Sequence, residues 1–307
     1  MSTTDAHADR FTHLRPLLFT IAYEILGSAT EADDVLQDSY LRWAQVDLET
    51  VRDTKSYLAQ LVTRQALNTR RAGARRREDY VGPWLPEPLL LTDTDALTDV
   101  VLAESVSMGM MVLLETLTAD ERAVFVLHEV FGFDHDDIAA AVGKSVAAVR
   151  QMAYRARSHV QARRNRFGPV DTARTAELTD RFMTAATTGD MDGLLAMLTP
   201  DATWTTDSGG KASAAALRAT GAQQVAEILI GVFRTAHKIS SVRVEIVTYN
   251  HEPAIAIYRG QTLEAVSVIE FVDGKIANFY GIRNPDKLAA LTVPRAIARD
   301  LNSRRNS

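Results

Sequence analysis

Gly143-Lys144-Ser145 lies between two stretches whose apolar residues recur at helical spacing, and this turn constrains the chain more than any other feature. Before it, Ile138 and Val142 stand four apart in Asp136 to Val142, which predicts a short helix stopped by Gly143. After it, Ser145 is suited to cap a helix N-terminus. Val146, Val149, Ala153, Ala156 and Val160 then fall on one face. A helix, a glycine turn and a capped second helix are the sequence form of a helix-turn-helix. The opposite face carries Ala147, Ala148, Arg150, Gln151, Tyr154, Arg155 and Arg157, and no carboxylate occurs from Arg150 to Arg166. Small residues at Ser145, Ala147 and Ala148 permit close approach to base edges. Arg150 and Gln151 can donate to bases, and Arg155 and Arg157 can clamp phosphates. The competing reading is an amphipathic helix with a solvated basic face. The turn, the cap and the one-sided charge favour DNA.

The 307 residues suggest two or three domains, and a formal net charge of -5 means that any nucleic-acid contact is local. Without cysteine there is no disulfide framework and no thiolate nucleophile or ligand. The seven histidines show no metal-ligand spacing, so neither metal nor cofactor is expected. A polar, acidic start and the lack of a long apolar run predict a soluble, cytoplasmic protein.

Near the N-terminus, Leu14, Leu17, Leu18, Ile21, Ala22 and Ile25 form a helical stripe that ends at Gly27. Ser28-Ala29-Thr30-Glu31 has the form of a capping box. The helix from about Glu31 to Ala44 is expected to bury Val35, Leu36, Tyr40 and Trp43 in part, and to present Asp33, Asp34, Gln37 and Asp38. Acidic residues in a first turn also suit the helix dipole. A break at Gln45 to Thr54 precedes a third helix, about Lys55 to Arg76, whose second half is loaded with arginine. Arg64 and Asn68 stand four apart on one face, where both can reach bases or a displaced strand.

An acidic surface, a basic helix, a linker and a helix-turn-helix, in that order, resemble a bacterial RNA polymerase sigma factor of the extracytoplasmic-function type. GSATEADDVLQDSYLRW, KSYLAQLVTRQALNTRR and ADERAVFVLHEVFGFDHDDIAAAVGKSVAAVRQMAYRAR carry the resemblance. It implies a region 2 domain at 10–78, where Asp33, Asp34, Gln37, Asp38 and Trp43 would dock on the polymerase clamp. The loop near Gln45 to Thr54 and the helix carrying Arg64, Asn68 and Arg71 would melt and read the -10 element. Region 4, at 107–166, would read the -35 element through Ser145, Ala147, Ala148, Arg150, Gln151, Arg155 and Arg157. Two DNA modules on a flexible joint raise each other's effective concentration.

The linker, 79–106, holds Trp84-Leu85-Pro86-Glu87-Pro88, whose prolines exclude a long helix. Leaving Trp84 and Leu89 to Leu91 in water would cost on the order of 1.5–3 kcal/mol each, so they are expected to pack against another domain or the polymerase.

After Gly168-Pro169 a new domain is expected at 171–291, with a tail read as mobile at 292–307. Helices end at Gly189 and at Pro200, Ala202 to Thr206 is extended, and Leu217 to Arg234 is helical. Strands follow at Val242 to Ile246, Ala254 to Tyr258, Leu263 to Val272 and Lys275 to Arg283, with a hairpin turn at Asp273-Gly274. Helices followed by a curled antiparallel sheet fit an α+β cone, and this part resembles the SnoaL-like, NTF2-like fold. The expected fold class is multidomain: two all-α sigma domains plus the cone. Trp84-Leu85-Pro86-Glu87-Pro88, Asp207-Ser208-Gly209-Gly210-Lys211 and Asn284-Pro285-Asp286-Lys287-Leu288 resemble motifs of the ECF41 (SigJ-like) subgroup, which carries such a cone. The subgroup's loop usually reads Asp-Gly-Gly-Gly-Lys, and here Ser208 replaces the first glycine.

The resemblance implies core RNA polymerase and promoter DNA as partners, and an intramolecular contact between cone and sigma half in place of a separate anti-sigma factor. Trp84, Leu85, Pro86, Asp207, Gly209, Gly210, Lys211, Asn284, Pro285, Asp286 and Lys287 are the candidates for that contact. A tight turn and a helix cap would explain the last two motifs without it. An enzyme with Asp207 or Glu264 as base, or a sensor whose pocket takes a small molecule, are the alternatives. No second catalytic partner is evident, so no enzyme is expected.

Overall fold

The computed structural model describes residues 3–92, 99–163, 172–213 and 217–299. The expected domain boundary at 166–171 lies outside them. α1 (Thr3–Leu26) is stopped by Gly27, whose φ of +76° an L side chain rarely adopts. α2 (Ala29–Trp43) and α3 (Thr54–Glu78) pack beside it, the latter capped by Asp53. Trp43 is fully buried rather than buried in part: it packs against His7 and Tyr57, and its indole donates to the His7 carbonyl at 2.9 Å.

The linker is partly helical. α4 (Val100–Val106) and α5 (Met108–Leu114) precede the helix-turn-helix unit of α6 (Ala119–Phe125), a wider turn at Val126–Val130, α7 (His135–Val142) and α8 (Val146–Gln161). Gly143 sits at φ +70° and the Ser145 hydroxyl accepts from the Ala148 amide at 3.2 Å, which makes the expected turn and cap.

The two helical units share one continuous apolar core. Leu17, Ile21 and Leu58 belong to the same buried cluster as Leu114, Phe125, Ile138 and Ala156. The expectation of two separated modules is therefore corrected for this state.

The cone contains α9 (Thr172–Thr188), α10 (Met191–Met197) and α11 (Ala222–Lys238) over a six-stranded sheet ordered β2-β1-β6-β5-β4-β3. The strands are β1 (Leu198–Asp207), β2 (Arg218–Thr220), β3 (Val242–Tyr249), β4 (Glu252–Arg259), β5 (Thr262–Val272) and β6 (Lys275–Ile282). β1 and β6 are parallel and the other neighbours antiparallel. Pro200 lies inside β1, where the register shifts, and does not end a helix. Leu217 to Thr220 leads into a short strand paired to β1, not into α11.

Side chains alternate across this sheet. Trp204, Ile255, Ile269 and Phe279 face α9 to α11. Val266, Val268, Tyr280 and Ile282 face the other way, against Leu85 and Met108 of the linker and α5. The C-terminal tail is also placed as far as Arg299, against the expectation of mobility. Arg295 forms a bridge with Leu91, Ile297 is buried, and the Ala298 amide donates to the Thr20 hydroxyl at 3.1 Å.

Candidate nucleic-acid interface and interdomain junction

On α8, Ser145, Ala147, Arg150, Gln151 and Tyr154 are exposed, and Ala148 partly so. Tyr154, at 75% exposure, extends this surface beyond the expected residues. The four-residue step from Arg150 to Tyr154 was the available signal. Arg155 and Arg157 are engaged within the unit: Arg155 Nε lies 3.2 Å from Glu121, and Arg157 Nη2 lies 2.6 Å from Glu129. Among the described residues Arg150 has no such partner, so its charge faces solvent.

The basic helix α3 is differently placed. Arg64 Nη2 donates to the Ala140 carbonyl at 2.7 Å, and Arg71 pairs with Asp120 at 2.5 Å. Gln60 donates to Asp137 at 3.4 Å. Each bond ties α3 to the helix-turn-helix unit, while Asn68 stays exposed. Deeper in the same interface, Arg122, Arg70 and Arg77 surround Glu115 at 2.5, 3.3 and 3.7 Å. Burial alone would raise the Glu115 pKa, but the three guanidinium groups pull it down to about 2. Burial lowers Arg122 to about 10. Glu24 is also fully buried, with the Ser105 hydroxyl donating to it at 2.7 Å, and burial raises its pKa to about 8.

On α2, Asp34, Gln37 and Asp38 face solvent, and Leu41, 57% exposed, lies on the same helical stripe. Trp43 lies in the core and is not available to a partner in this state. Asp33 accepts from Arg15 at 3.1 Å and from Arg295 of the tail at 3.0 Å.

The α2 cap is assembled across the sequence. Glu31 N–H donates to the Ser28 hydroxyl, but the second half of the expected box is Glu87 of the linker. Its Oε1 accepts from the Ser28 hydroxyl at 2.9 Å and its Oε2 from the Ala29 amide at 2.8 Å. A carboxylate at a helix N-terminus is favoured by the dipole. Glu31 instead turns to Arg76 and Arg77.

The three candidate contact motifs, one in the linker and two in the cone, meet. Asp207 has no exposed surface. Its carboxylate accepts from Lys287 Nζ at 2.7 Å, from the Leu85 amide at 3.0 Å and from the Tyr80 hydroxyl. Lys287 also donates to the Leu85 carbonyl at 2.6 Å and lies 3.3 Å from the centre of the Trp84 ring. Burial lowers the Lys287 pKa, and Asp207 opposes that shift. Asn284 Nδ2 donates to the Tyr80 hydroxyl at 2.7 Å, which makes Tyr80 a junction residue that sequence reasoning passed over. A Cβ at Gly209 would lie 2.6 Å from Asn284 Nδ2, so the glycine permits the approach of that side chain. Gly209 and Gly210 are the residues of this loop with positive φ, and Ser208 needs no such freedom. Lys211 and exposed Asp286 pair at the rim, Pro285 opens α12 (Pro285–Leu288), and Pro86 is buried beside Glu87.

A second contact comes from the tip of the β3–β4 hairpin. Asn250, at φ +51°, donates through Nδ2 to the Val106 carbonyl at 2.5 Å and accepts the Leu89 amide at 2.5 Å. Tyr23 of α1 donates to the Glu87 carbonyl at 2.8 Å beside it. The apolar linker therefore packs between the cone and the helical core, Leu85 with one and Leu89 with the other.

Among the described residues no group of three or more His, Cys, Asp or Glu is placed to hold a metal ion. No helix there is long and apolar enough to cross a membrane. Neither carboxylate considered as a base is free: Asp207 is held at the junction, and Glu264 pairs with Arg259 at 2.7 Å.

Comparison with known proteins agrees with this division. The Sigma-70 region 2 model matches residues 10–76, the Sigma-70 region 4 model residues 108–160, and the SnoaL-like domain model residues 179–279. A curated relative, the ECF RNA polymerase sigma factor SigJ of Mycobacterium tuberculosis, is 36% identical over 288 residues, covering 90% of this chain and 91% of that one. The probable ECF RNA polymerase sigma factor SigI of the same species is 25% identical over 95% of this chain and 98% of its own. The crystal structure of the Mycobacterium tuberculosis extracytoplasmic function sigma factor SigJ aligns with a TM-score of 0.73 at 31% identity, over 92% of this chain and 98% of that chain.

Proposed function

The chain belongs to the extracytoplasmic-function family of RNA polymerase sigma factors, and we propose that it binds core RNA polymerase and directs promoter-specific initiation under the control of its own cone. Asp34, Gln37, Asp38 and Leu41 form the polymerase-facing surface of α2, joined by Asp33 once Arg295 releases it. Arg64, Asn68 and Arg71 engage the -10 element. Ser145, Ala147, Ala148, Arg150 and Gln151, with Tyr154, read the -35 element, and Arg155 and Arg157 flank it on the phosphates.

One observation carries the regulatory half of the reading. Arg64 and Arg71 of α3 are taken by Ala140 and Asp120 of the helix-turn-helix unit, while Arg150 of α8 stays in solvent. In this closed state the α8 surface faces solvent, while the two α3 arginines, though exposed, are held against the helix-turn-helix unit. The cone leans on both sides of the closure, through Asn250 at Tyr23 and Val106 and through Asp207 and Lys287 at the linker. It acts as a brace, and initiation requires the two helical units to part.

Gel filtration of the chain with core polymerase tests the first half. Co-elution is expected, reduced by Asp34→Lys and Asp38→Lys together. Failure of the natural chain to associate would sink the assignment of partner. An enzymatic role for the cone lacks support, since both candidate bases are held in ion pairs.

A further inference from the structure

The cone holds a cavity of about 740 Å³ between α11 and the concave face of the sheet. That lies within the ~300–1,000 Å³ of small-molecule sites. Ile228, Val232, Ile239, Val242 and Ile257 make its walls apolar.

Its floor is polar and incompletely satisfied. Thr206, Gly281 and Ser267 lie side by side on β1, β6 and β5, in register. A Cβ at Gly281 would lie 3.4 Å from the Thr206 hydroxyl and 3.6 Å from the Ser267 hydroxyl, so the glycine leaves both on one opening. Thr206 already accepts from the Trp204 indole at 2.8 Å, which leaves its own proton to donate. Ser267 is 7% exposed, and its hydroxyl has no hydrogen-bond partner. Arg283, one residue beyond β6, lines the same cavity, and its buried Nε is also without a partner. A guanidinium only donates, so the missing partner is an acceptor. The carboxylates of the lining, Glu227 and the paired Glu264, are more exposed than Ser267, so negative charge stays nearer the rim.

We propose that the cone binds an apolar organic carboxylate, with its head group against Arg283 and Ser267 and its hydrocarbon body along α11. A carboxylate supplies the acceptors that Arg283, Ser267 and Thr206 lack, and a guanidinium matches it in bidentate geometry. The bound head would sit one residue from Asn284, and the Arg283 amide already donates to the Asp207 carbonyl at 2.7 Å. The site does not depend on the brace reading, because binding is measured directly.

The test is calorimetric titration of the full chain with 2-naphthoate and with its neutral analogue 2-naphthamide. One site is expected, with the carboxylate favoured by about tenfold or more. Arg283→Met should remove that preference, with a retained thermal midpoint reporting an intact fold. Gly231 borders the cavity on α11, and a Cβ there meets nothing within 4 Å. Gly231→Trp should therefore fill the opening and abolish binding of both compounds with the thermal midpoint retained. Equal affinities for the two compounds, a preference that survives Arg283→Met, or no binding at millimolar probe would each overturn the proposal.

Discussion

Lys287 Nζ lies 2.7 Å from Asp207 Oδ2, and the two side chains are 4% and 0% exposed. The pair welds the last motif of the chain to the end of β1, and both partners then reach back to Leu85 of the linker. A buried charge stripped of its partner is severely unfavourable. Lys287→Met should therefore destabilise the junction by roughly 3–5 kcal/mol, and Asp207→Asn combined with it should recover part of that loss. Urea denaturation of the single and double variants measures both. Additive losses would mean that the pair is not the weld.

Glu24 gives the closed interface a pH dependence. Its pKa is raised to about 8 in the folded chain, so the native state holds a proton that the unfolded state releases above about 4.5. Stability then falls as pH rises through that window, by at most about 1.4 kcal/mol per pH unit. Glu24→Gln should flatten the profile between pH 5 and 8 and stabilise the chain at pH 9. A Glu24→Gln profile parallel to that of the natural chain would refute the assignment.

The salt dependence of promoter binding separates the arginines of α8. Each phosphate contact contributes a slope of about 0.9 in log K against log salt. Arg150→Gln should flatten the slope by about that amount. Arg155→Gln and Arg157→Gln should change it less, because each already neutralises a carboxylate, Glu121 or Glu129. Fluorescence anisotropy of promoter DNA with the polymerase-bound chain reads the difference.

The tail has its own consequence. Arg295 pairs with Asp33, the latter side chain 34% exposed, and so occupies part of the α2 surface. Arg295→Ala should raise affinity for core polymerase by about two- to fivefold, the range of a partly exposed ion pair. Surface plasmon resonance would reveal it, and a weakened interaction would argue that the tail assists docking.

What was legible in the sequence was local. Gly143 and Ser145 mark the turn of the helix-turn-helix because a left-handed residue and an N-cap act within a few positions. Asp273-Gly274 marks its hairpin for the same reason, both residues at positive φ. Contacts set by distant residues left no local trace. The Ser28 cap is completed by Glu87, 58 residues from the amide it accepts. Trp43 is drawn inward by a carbonyl 36 residues away. Arg295 reaches Asp33 across 262 residues, which is why the tail read as mobile. β2 is too short to show an alternating pattern, and its pairing with β1 defines it. The junction motifs were visible as motifs, but Tyr80 was not, since nothing around it marks a tyrosine between Asp207 and Asn284.

The central claim is that α3 and α7 must separate before the chain can start transcription. The protein has no cysteine, so Gln60→Cys with Asp137→Cys, at positions whose natural side-chain tips lie 3.4 Å apart, offers a single site for a thiol-specific, disulfide-cleavable crosslinker between the two helices. In vitro transcription with core polymerase should be silent with the crosslinked fraction and restored by reductant. Equal transcription from the crosslinked and reduced chains would contradict the account.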